Sequence, residues 1–143
     1  MRNAFHDELD GIGTTLLQMA GLVKVAMNDA TSALLTVDLN NAEKVIAADD
    51  VIDEIQHELD ARTINLIARQ QPVASDLRTL VTSLRMSADL ERMGDLAHHV
   101  AKQARMRYPN SAVPAELVPT ITAMGLVADK IVDKLSSVME HRD

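Results

Sequence analysis

The chain has 143 residues and contains no cysteine and no tryptophan, with a single phenylalanine and a single tyrosine. Without cysteine there is no disulfide bond and no thiolate metal site, so any protein ligands to a metal must be carboxylates or imidazoles. Strands favour aromatic and β-branched residues, whereas this chain combines few aromatics with eight methionines and many alanines and leucines. The composition therefore predicts helices rather than sheets.

Basic residues are also in short supply, because 14 Lys and Arg stand against 21 Asp and Glu, for a net charge of −7. This balance argues against general nucleic-acid binding, which needs Lys and Arg to neutralise phosphates, and suits metal ions or a basic partner surface. No apolar run approaches the roughly 18 residues that a membrane span needs. Asp7, Glu8 and Asp10 are unlike a secretory signal. We therefore expect a cytoplasmic protein.

Apolar residues recur at alternating steps of three and four in four stretches, which is the spacing of helices in a bundle. Turn and helix-start residues separate the stretches, and Pro109 and Pro114 exclude a helix interior between the last two. Helices of about 30 residues span about 45 Å, and short links make successive helices antiparallel. The predicted fold is therefore all-α, an elongated antiparallel helical bundle. The predicted helices cover residues 5–37, 41–68, 72–106 and 115–140.

Two pairs of acidic residues occur at helical spacing. Glu91 and Asp95 are four residues apart in the third helix, and Asp49 and Asp53 are four apart in the second. Side chains at this spacing share a helix face, with Cβ atoms about 5–6 Å apart, so each pair repels itself unless a cation lies nearby. Asp49 also occupies an inward-facing position in the apolar seam of its helix, and such a break in the pattern tends to mark a functional site.

Both pairs lie at similar distances from the turn predicted near Gln71. The first pair precedes this residue by 22 and 18 positions, and the second follows it by 20 and 24. If helices two and three form a hairpin about this turn, Asp53 should lie near Glu91. Asp49 should then lie near Asp95, and four carboxylates on facing helices predict a metal site. Oxygen ligands favour Mg²⁺, Mn²⁺, Ca²⁺ or iron over metals that prefer soft ligands, and Zn²⁺ stays open.

Three neighbouring residues leave details of this site open. His99 follows Asp95 by four positions and could add a ligand or support one. Glu54 lies one residue beyond Asp53 and repeats the acidic spacing. Gly94 is unfavourable inside a helix by about 0.5–1 kcal/mol relative to Ala, so it predicts either close helix packing or room for a metal.

Two other interpretations compete with a metal site. The carboxylates could form a solvated helix face neutralised by Lys24, Arg85 or Arg92, which would make the chain a helical adaptor without a metal function. The other alternative is a small carboxylate-bridged metalloenzyme, but such sites use Glu-x-x-His ligands that are missing around these residues. No Gly-rich phosphate loop or paired nucleophile and base is present either, so we expect a protein that is not an enzyme.

Three sequence blocks resemble the PhoU family of phosphate-signalling regulators. They are Asp-Leu-Arg at 76–78, Asp-Leu-Glu-Arg-Met-Gly-Asp at 89–95 and Ala-Asp-Asp-Val-Ile-Asp at 48–53, and the similarity extends over nearly the whole chain. The resemblance implies two tandem three-helix bundles, each with Glu/Asp-x-x-x-Asp motifs that bind metal, including multinuclear iron clusters. It further implies repression of the phosphate-starvation response, between a phosphate ABC transporter ATPase and a sensor histidine kinase, without catalysis. Carried over, the metal ligands are Asp49, Asp53, Glu91 and Asp95.

The chain departs from the family pattern because the block at 89–95 occurs only once. We therefore interpret residues 1–107 as a PhoU-like three-helix bundle and residues 115–143 as the first helix of an incomplete second repeat. The apolar seam of this helix can fold back on the bundle or pair with its counterpart in a second chain. We expect the second arrangement, a homodimer that reaches membranes only through partners. The predicted seam consists of Leu117, Ile121, Met124, Ala128, Ile131, Leu135 and Val138.

Overall fold

The four stretches with bundle spacing are α-helices in a computed structural model that describes residues 2–141, with side chains from residue 4 to residue 137. Within these residues there is no strand, and no helix is both long enough and apolar enough to cross a membrane. The all-α prediction is confirmed. The elements are α1 (Arg2–Thr36), α2 (Leu39–Gln70), α3 (Ala74–Arg107), a 3-10 turn (Ala115–Leu117) and α4 (Val118–His141).

Two short connections make the first three helices antiparallel. After α1, Val37 has a φ of 54°, in the left-handed region that commonly ends a helix. Asp38 then caps α2, because its side chain accepts a hydrogen bond from the backbone N–H of Asn41 at 3.1 Å. At the second connection Gln71 has a φ of 42°, and α3 begins at Ala74. Both breaks lie where the sequence predicted them.

Helices α1, α2 and α3 pack against one another around one apolar core. Their inward positions recur at steps of three and four, as the sequence pattern predicted. Burial of each large apolar side chain stabilises the fold by about 1.5–3 kcal/mol relative to exposure. The largest fully buried side chains of these three helices are Ile12, Met19, Val23, Val45, Ile52, Leu59, Leu66, Leu80 and Leu90.

Most buried polar groups of the bundle have partners. The Thr63 hydroxyl donates to the carbonyl of Leu59 at 2.8 Å, and the Ser87 hydroxyl donates to Asp60 Oδ1 at 2.7 Å across the α2–α3 contact. Asp49 is the one charged residue that is buried among those whose side chains are described, with 9% of its surface exposed. Its inward-facing position in the α2 seam was predicted from the sequence.

Helix α4 lies against α1 and, over the described range, contacts neither α2 nor α3. Val132 is fully buried in this contact. Gly125 allows the close approach, because a Cβ at this position would lie 2.7 Å from Thr31 Cγ2. Lys24 Nζ and Asp133 Oδ1 form an ion pair at 2.6 Å across the same interface. Helix α1 is therefore the helix against which all three others pack.

The α4 seam predicted from the sequence was wrong in part. Met124 and Ile131 are 61% and 54% exposed, and Leu117 is exposed as well. The buried residue is Val132, which was not in the predicted seam, and the side chain of Val138 lies outside the described residues. One side of α4 thus folds back onto α1, whereas pairing between chains was the predicted arrangement, and an apolar stripe stays exposed.

Candidate metal centre

The facing sides of α2 and α3 carry the four acidic side chains that the sequence pattern singled out. Asp49 is buried, and Asp53, Glu91 and Asp95 are half-buried. The carboxyl groups of Glu91 and Asp53 are close enough to share a proton, and the charges of Asp49 and Asp95 also act on Glu91. The hairpin therefore places all four carboxylates in one neighbourhood where their charges act on one another, and each helix contributes two. No three of the four have oxygens that all lie within 4.8 Å of one another.

Burial and mutual repulsion make two of these groups harder to ionise. Burial is the largest cause that raises the pKa of Glu91, followed by its contact with Asp53 and by the neighbouring negative charges. Burial also raises the pKa of Asp49, while the positive charge that His98 can carry acts in the opposite direction. The charges of Asp53 and Asp95 raise the pKa of Asp49 further. An ionised cluster is thus unfavourable without a positive charge beside it.

Two carboxylate oxygens in the cluster have no donor. Asp49 Oδ1 and Asp53 Oδ1 are both buried without a hydrogen-bond partner, a costly arrangement for a polar atom. Among the described residues, no lysine or arginine forms an ion pair with any of the four carboxylates. Arg85 and Arg92 are exposed, and Lys24 pairs with α4 instead. The residues present therefore fit a cation, for which carboxylate oxygens are suitable ligands.

His99 was the predicted candidate ligand, but His98 is the more buried of the two adjacent histidines. His98 Nδ1 lies 3.0 Å from Asp49 Oδ2, and its side chain is only 15% exposed. The His99 side chain is 67% exposed, with Nδ1 2.9 Å from the backbone oxygen of Asp95 and 3.7 Å from Asp95 Oδ1. Ligand atoms of Asp95, His98 and His99 come within 4.8 Å of one another. Two imidazoles thus border the carboxylates, and the buried one is His98.

Helix register could have revealed His98. The observed contacts Asp49–His98 and Asp60–Ser87 are centred on the start of α3, whereas the prediction centred the hairpin on the end of α2. The difference arises because an extended connection precedes Ala74, which begins α3. The small shift keeps the four carboxylates together but brings a residue one turn further along α3 opposite Asp49.

Gly94 serves helix packing rather than the carboxylates. A Cβ at this position would lie 3.4 Å from side-chain atoms of Ile52 and 3.8 Å from Val23 Cγ2. The missing side chain therefore lets α3 pack closely against α1 and α2 within the apolar core. Glu54 is exposed and lies outside the buried cluster.

An antiparallel α-helical bundle with carboxylates facing one another across two adjacent helices belongs to a class that includes helical metal-binding proteins. Residues 16–104 match the family model of the PhoU domain. The chain belongs to the PhoU family.

Named relatives and a solved structure resemble the chain along its length. The phosphate-specific transport system accessory protein PhoU homolog 2 of Mycobacterium tuberculosis is 41% identical over 143 residues, covering 100% of this chain and 67% of that protein. PhoU homolog 1 of Mycobacterium leprae is 39% identical, covering 100% of this chain and 64% of that protein. The crystal structure of PhoU from Pseudomonas aeruginosa superposes with a TM-score of 0.87 at 31% identity, covering 97% of this chain and 66% of that one. The chain thus spans about two thirds of the length of these relatives.

Proposed function

We propose that this chain is a cytoplasmic, metal-binding regulator of phosphate uptake that represses the phosphate-starvation response. Membership of the PhoU family supports a role in phosphate signalling. The names of the relatives, accessory proteins of a phosphate-specific transport system, favour a regulatory role over catalysis. The proposed partners are the ATPase of a phosphate ABC transporter and a sensor histidine kinase, which would account for any membrane association.

The buried, unpartnered oxygens Asp49 Oδ1 and Asp53 Oδ1 are the observation that carries the metal part of the proposal. Together with Glu91 and Asp95 they would hold iron, manganese, magnesium or zinc. The bound ion would supply the positive charge that no lysine or arginine of the described residues supplies. The carboxylates themselves would fix α2 against α3 through their shared ion.

Elemental analysis of protein purified without chelator tests this part directly. The double substitution Glu91→Gln and Asp95→Asn should remove most of the metal. A matched control is Asp50→Asn with Glu54→Gln, which alters two exposed acids on α2 and should leave the metal content unchanged. Added metal at about 100 times its Kd should raise the free energy of unfolding of the wild-type chain by about 2.7 kcal/mol. Equal metal content in both double variants would contradict the proposal.

Repression can be tested in cells that lack their own regulator and carry a reporter of the phosphate-starvation response. The wild-type chain should repress the reporter when phosphate is plentiful, and the Glu91→Gln/Asp95→Asn variant should not. Equal repression by both would favour the metal-independent adaptor. Failure of the wild-type chain to repress would contradict the regulatory proposal itself.

The exposed apolar stripe that runs from the 3-10 turn along α4 supports self-association as part of the proposal. Leu117, Met124 and Ile131 are exposed at heptad spacing, and apolar side chains in such a row usually pack against another surface. We take residues 1–107 as one repeat and 115–143 as the first helix of a second. Sedimentation at micromolar concentration should give a dimer for the wild-type chain and a monomer for Met124→Glu. A wild-type monomer would contradict the proposed homodimer.

A further inference from the structure

His98 differs from the other histidines that the structure describes near the carboxylates. Its imidazole is mostly buried and faces Asp49, whereas His99 is largely exposed and its Nδ1 contacts the backbone of its own helix. Asp49 uses only Oδ2 in the contact with His98, because Oδ1 is buried without a partner. The imidazole therefore contacts one oxygen of a carboxylate whose other oxygen has no hydrogen-bond partner.

The spacing of the donor atoms suits a shared ion. Two donors that each lie about 2.0–2.2 Å from one tetrahedral Zn²⁺ are separated by about 3.3–3.6 Å. His98 Nδ1 and Asp49 Oδ2 are 3.0 Å apart, so a shift of a few tenths of an ångström would bring both atoms to that separation. A carboxylate oxygen of Asp95 lies within 4.8 Å of a ring nitrogen of His98. The His98 ring thus lies between a carboxylate of α2 and a carboxylate of α3, and it is close to each of them.

We propose that His98 is a direct metal ligand through Nδ1, which makes the site a mixed nitrogen and oxygen site. The proposal rests on the metal-binding part of the proposed function. Imidazole suits zinc and iron, whereas carboxylates alone suit magnesium and calcium, so His98 gives the site its selectivity for Zn²⁺ or Fe²⁺ over Mg²⁺. In the metal-free chain Nδ1 lies 3.0 Å from Asp49 Oδ2. Metal binding at Nδ1 requires this nitrogen to carry no proton, so any proton there is released to solvent and the neutral ring is protonated at Nε2.

Calorimetric titration with Zn²⁺ and Mg²⁺, in separate experiments, measures the selectivity. His98→Ala should weaken Zn²⁺ binding by about 10- to 100-fold, at least the loss seen when a group that supports a metal ligand is removed. Binding of Mg²⁺ should change by less than about threefold, because magnesium binds oxygen ligands. His57→Ala removes an exposed histidine of α2 and should bind both ions like the wild type.

A ¹⁵N spectrum of histidine-labelled protein separates a ligand from a supporting hydrogen bond. On saturation with Zn²⁺, the His98 Nδ1 resonance should lose its attached proton and move to the range of a metal-bound nitrogen. A proton retained on Nδ1 in the zinc-saturated chain would overturn the assignment. Equal losses of Zn²⁺ and Mg²⁺ affinity in His98→Ala would overturn the selectivity.

Two further outcomes separate this inference from the proposed function. Zinc binding that is unaffected by His98→Ala, or that is lost in His99→Ala instead, overturns the inference about His98 alone. Absence of binding of either ion to the wild-type chain overturns the metal-binding function and this inference together.

Discussion

The carboxylates between α2 and α3 and those between α1 and α4 are the same chemical groups in opposite electrostatic surroundings. Asp53 Oδ1 on α2 and Asp129 Oδ1 on α4 are both buried without a hydrogen-bond partner. Asp129, however, lies near Lys24, whose pKa is raised chiefly by its hydrogen bond to Asp133 and further by the charge of Asp129. Asp53 faces Glu91, a second carboxylate.

The two clusters differ in whether the chain supplies a cation to its buried acids. The α1–α4 interface contains its own lysine, which supplies a positive charge to Asp133 and Asp129 within the chain. The α2–α3 cluster has only two imidazoles beside it, His98 near Asp49 and the exposed His99 near Asp95, with four carboxylates to balance. Buried acidity alone is therefore a poor indicator of a metal site, and the missing counter-charge is the informative feature.

The largest effect is expected from breaking the α1–α4 interface at Gly125. In Gly125→Ala the new Cβ would lie 2.7 Å from Thr31 Cγ2, and Thr31 cannot easily move because its hydroxyl is hydrogen-bonded to the Met27 carbonyl at 2.8 Å. Overpacking of this kind should lower the free energy of unfolding by about 1–3 kcal/mol in urea denaturation. Gly13→Ala is the control, since nothing lies within 4 Å of its Cβ and it should gain up to about 1 kcal/mol. Matching stability in the two variants would contradict the close approach of α4.

Replacing one buried aspartate by asparagine should have different effects on stability in the α2–α3 cluster and at the α1–α4 interface. In metal-free protein, Asp53→Asn removes a negative charge and provides an amide donor toward Glu91, so the free energy of unfolding should rise by about 1 kcal/mol. Asp129→Asn removes a negative charge near Lys24 and should give no gain or a small loss. Thermal unfolding with a chelator present measures both. A gain in both variants would show that burial outweighs the neighbouring charges.

Acidification should stabilise the metal-free chain through the α2–α3 cluster. The raised pKa of Glu91 means that the folded state holds its proton more tightly than the unfolded state does. The free energy of unfolding therefore rises as the pH falls from neutral toward 4.5, the ordinary pKa of a glutamate. The cost of burying the ionised carboxylate returns as the pH rises through the folded-state pKa of Glu91. The charges that face Glu91 are those of Asp53, Asp95 and Asp49.

Glu91→Gln isolates this contribution from the other titrating groups. The difference in unfolding free energy between wild type and variant should depend on pH in the metal-free chain and should shrink toward acidic pH. Saturation with metal should reverse the trend, because bound metal favours ionised ligands. A difference that does not vary with pH in chelator would contradict the burial of this carboxyl group.

The smallest effect is expected at the ion pair between Lys24 and Asp133. Both side chains are substantially exposed, so the pair gains little over solvation in water. A double-mutant cycle with Lys24→Ala and Asp133→Asn should give a coupling close to the measurement error that disappears in high salt. Persistence of a large coupling in high salt would show that α4 covers the pair more closely than the structure does.

Much of the bundle could be predicted from residue spacing alone. Asp49 was predicted to face inward because it takes a seam position where an apolar residue is expected, and its side chain is buried there. The four carboxylates could be placed at one height because two helices joined by a short turn bring equidistant residues together. His98 was missed because the length of the connection before α3 sets the register, and the sequence does not state where the connection ends.

Helix α4 shows why periodicity can fail. Met124 and Ile131 share one apolar stripe, and Val132 lies on a neighbouring one, so spacing alone does not decide which stripe packs. Gly125 decides it, because α1 can approach closely only on the side without a side chain. This choice depends on a contact between distant parts of the chain, which local sequence patterns do not contain.

The position of α1 between the α2–α3 hairpin and α4 sets an order of opening. Because α4 contacts only α1 in the part of the chain that is described, it can detach while the three-helix core stays folded. Amide hydrogens around Val132 should therefore exchange with solvent through a local opening, well before those around Leu59. A surface of α1 that includes Lys24 and Thr31 would be exposed transiently each time α4 leaves. The bundle would thus present two faces in solution, one permanent and one visited only briefly.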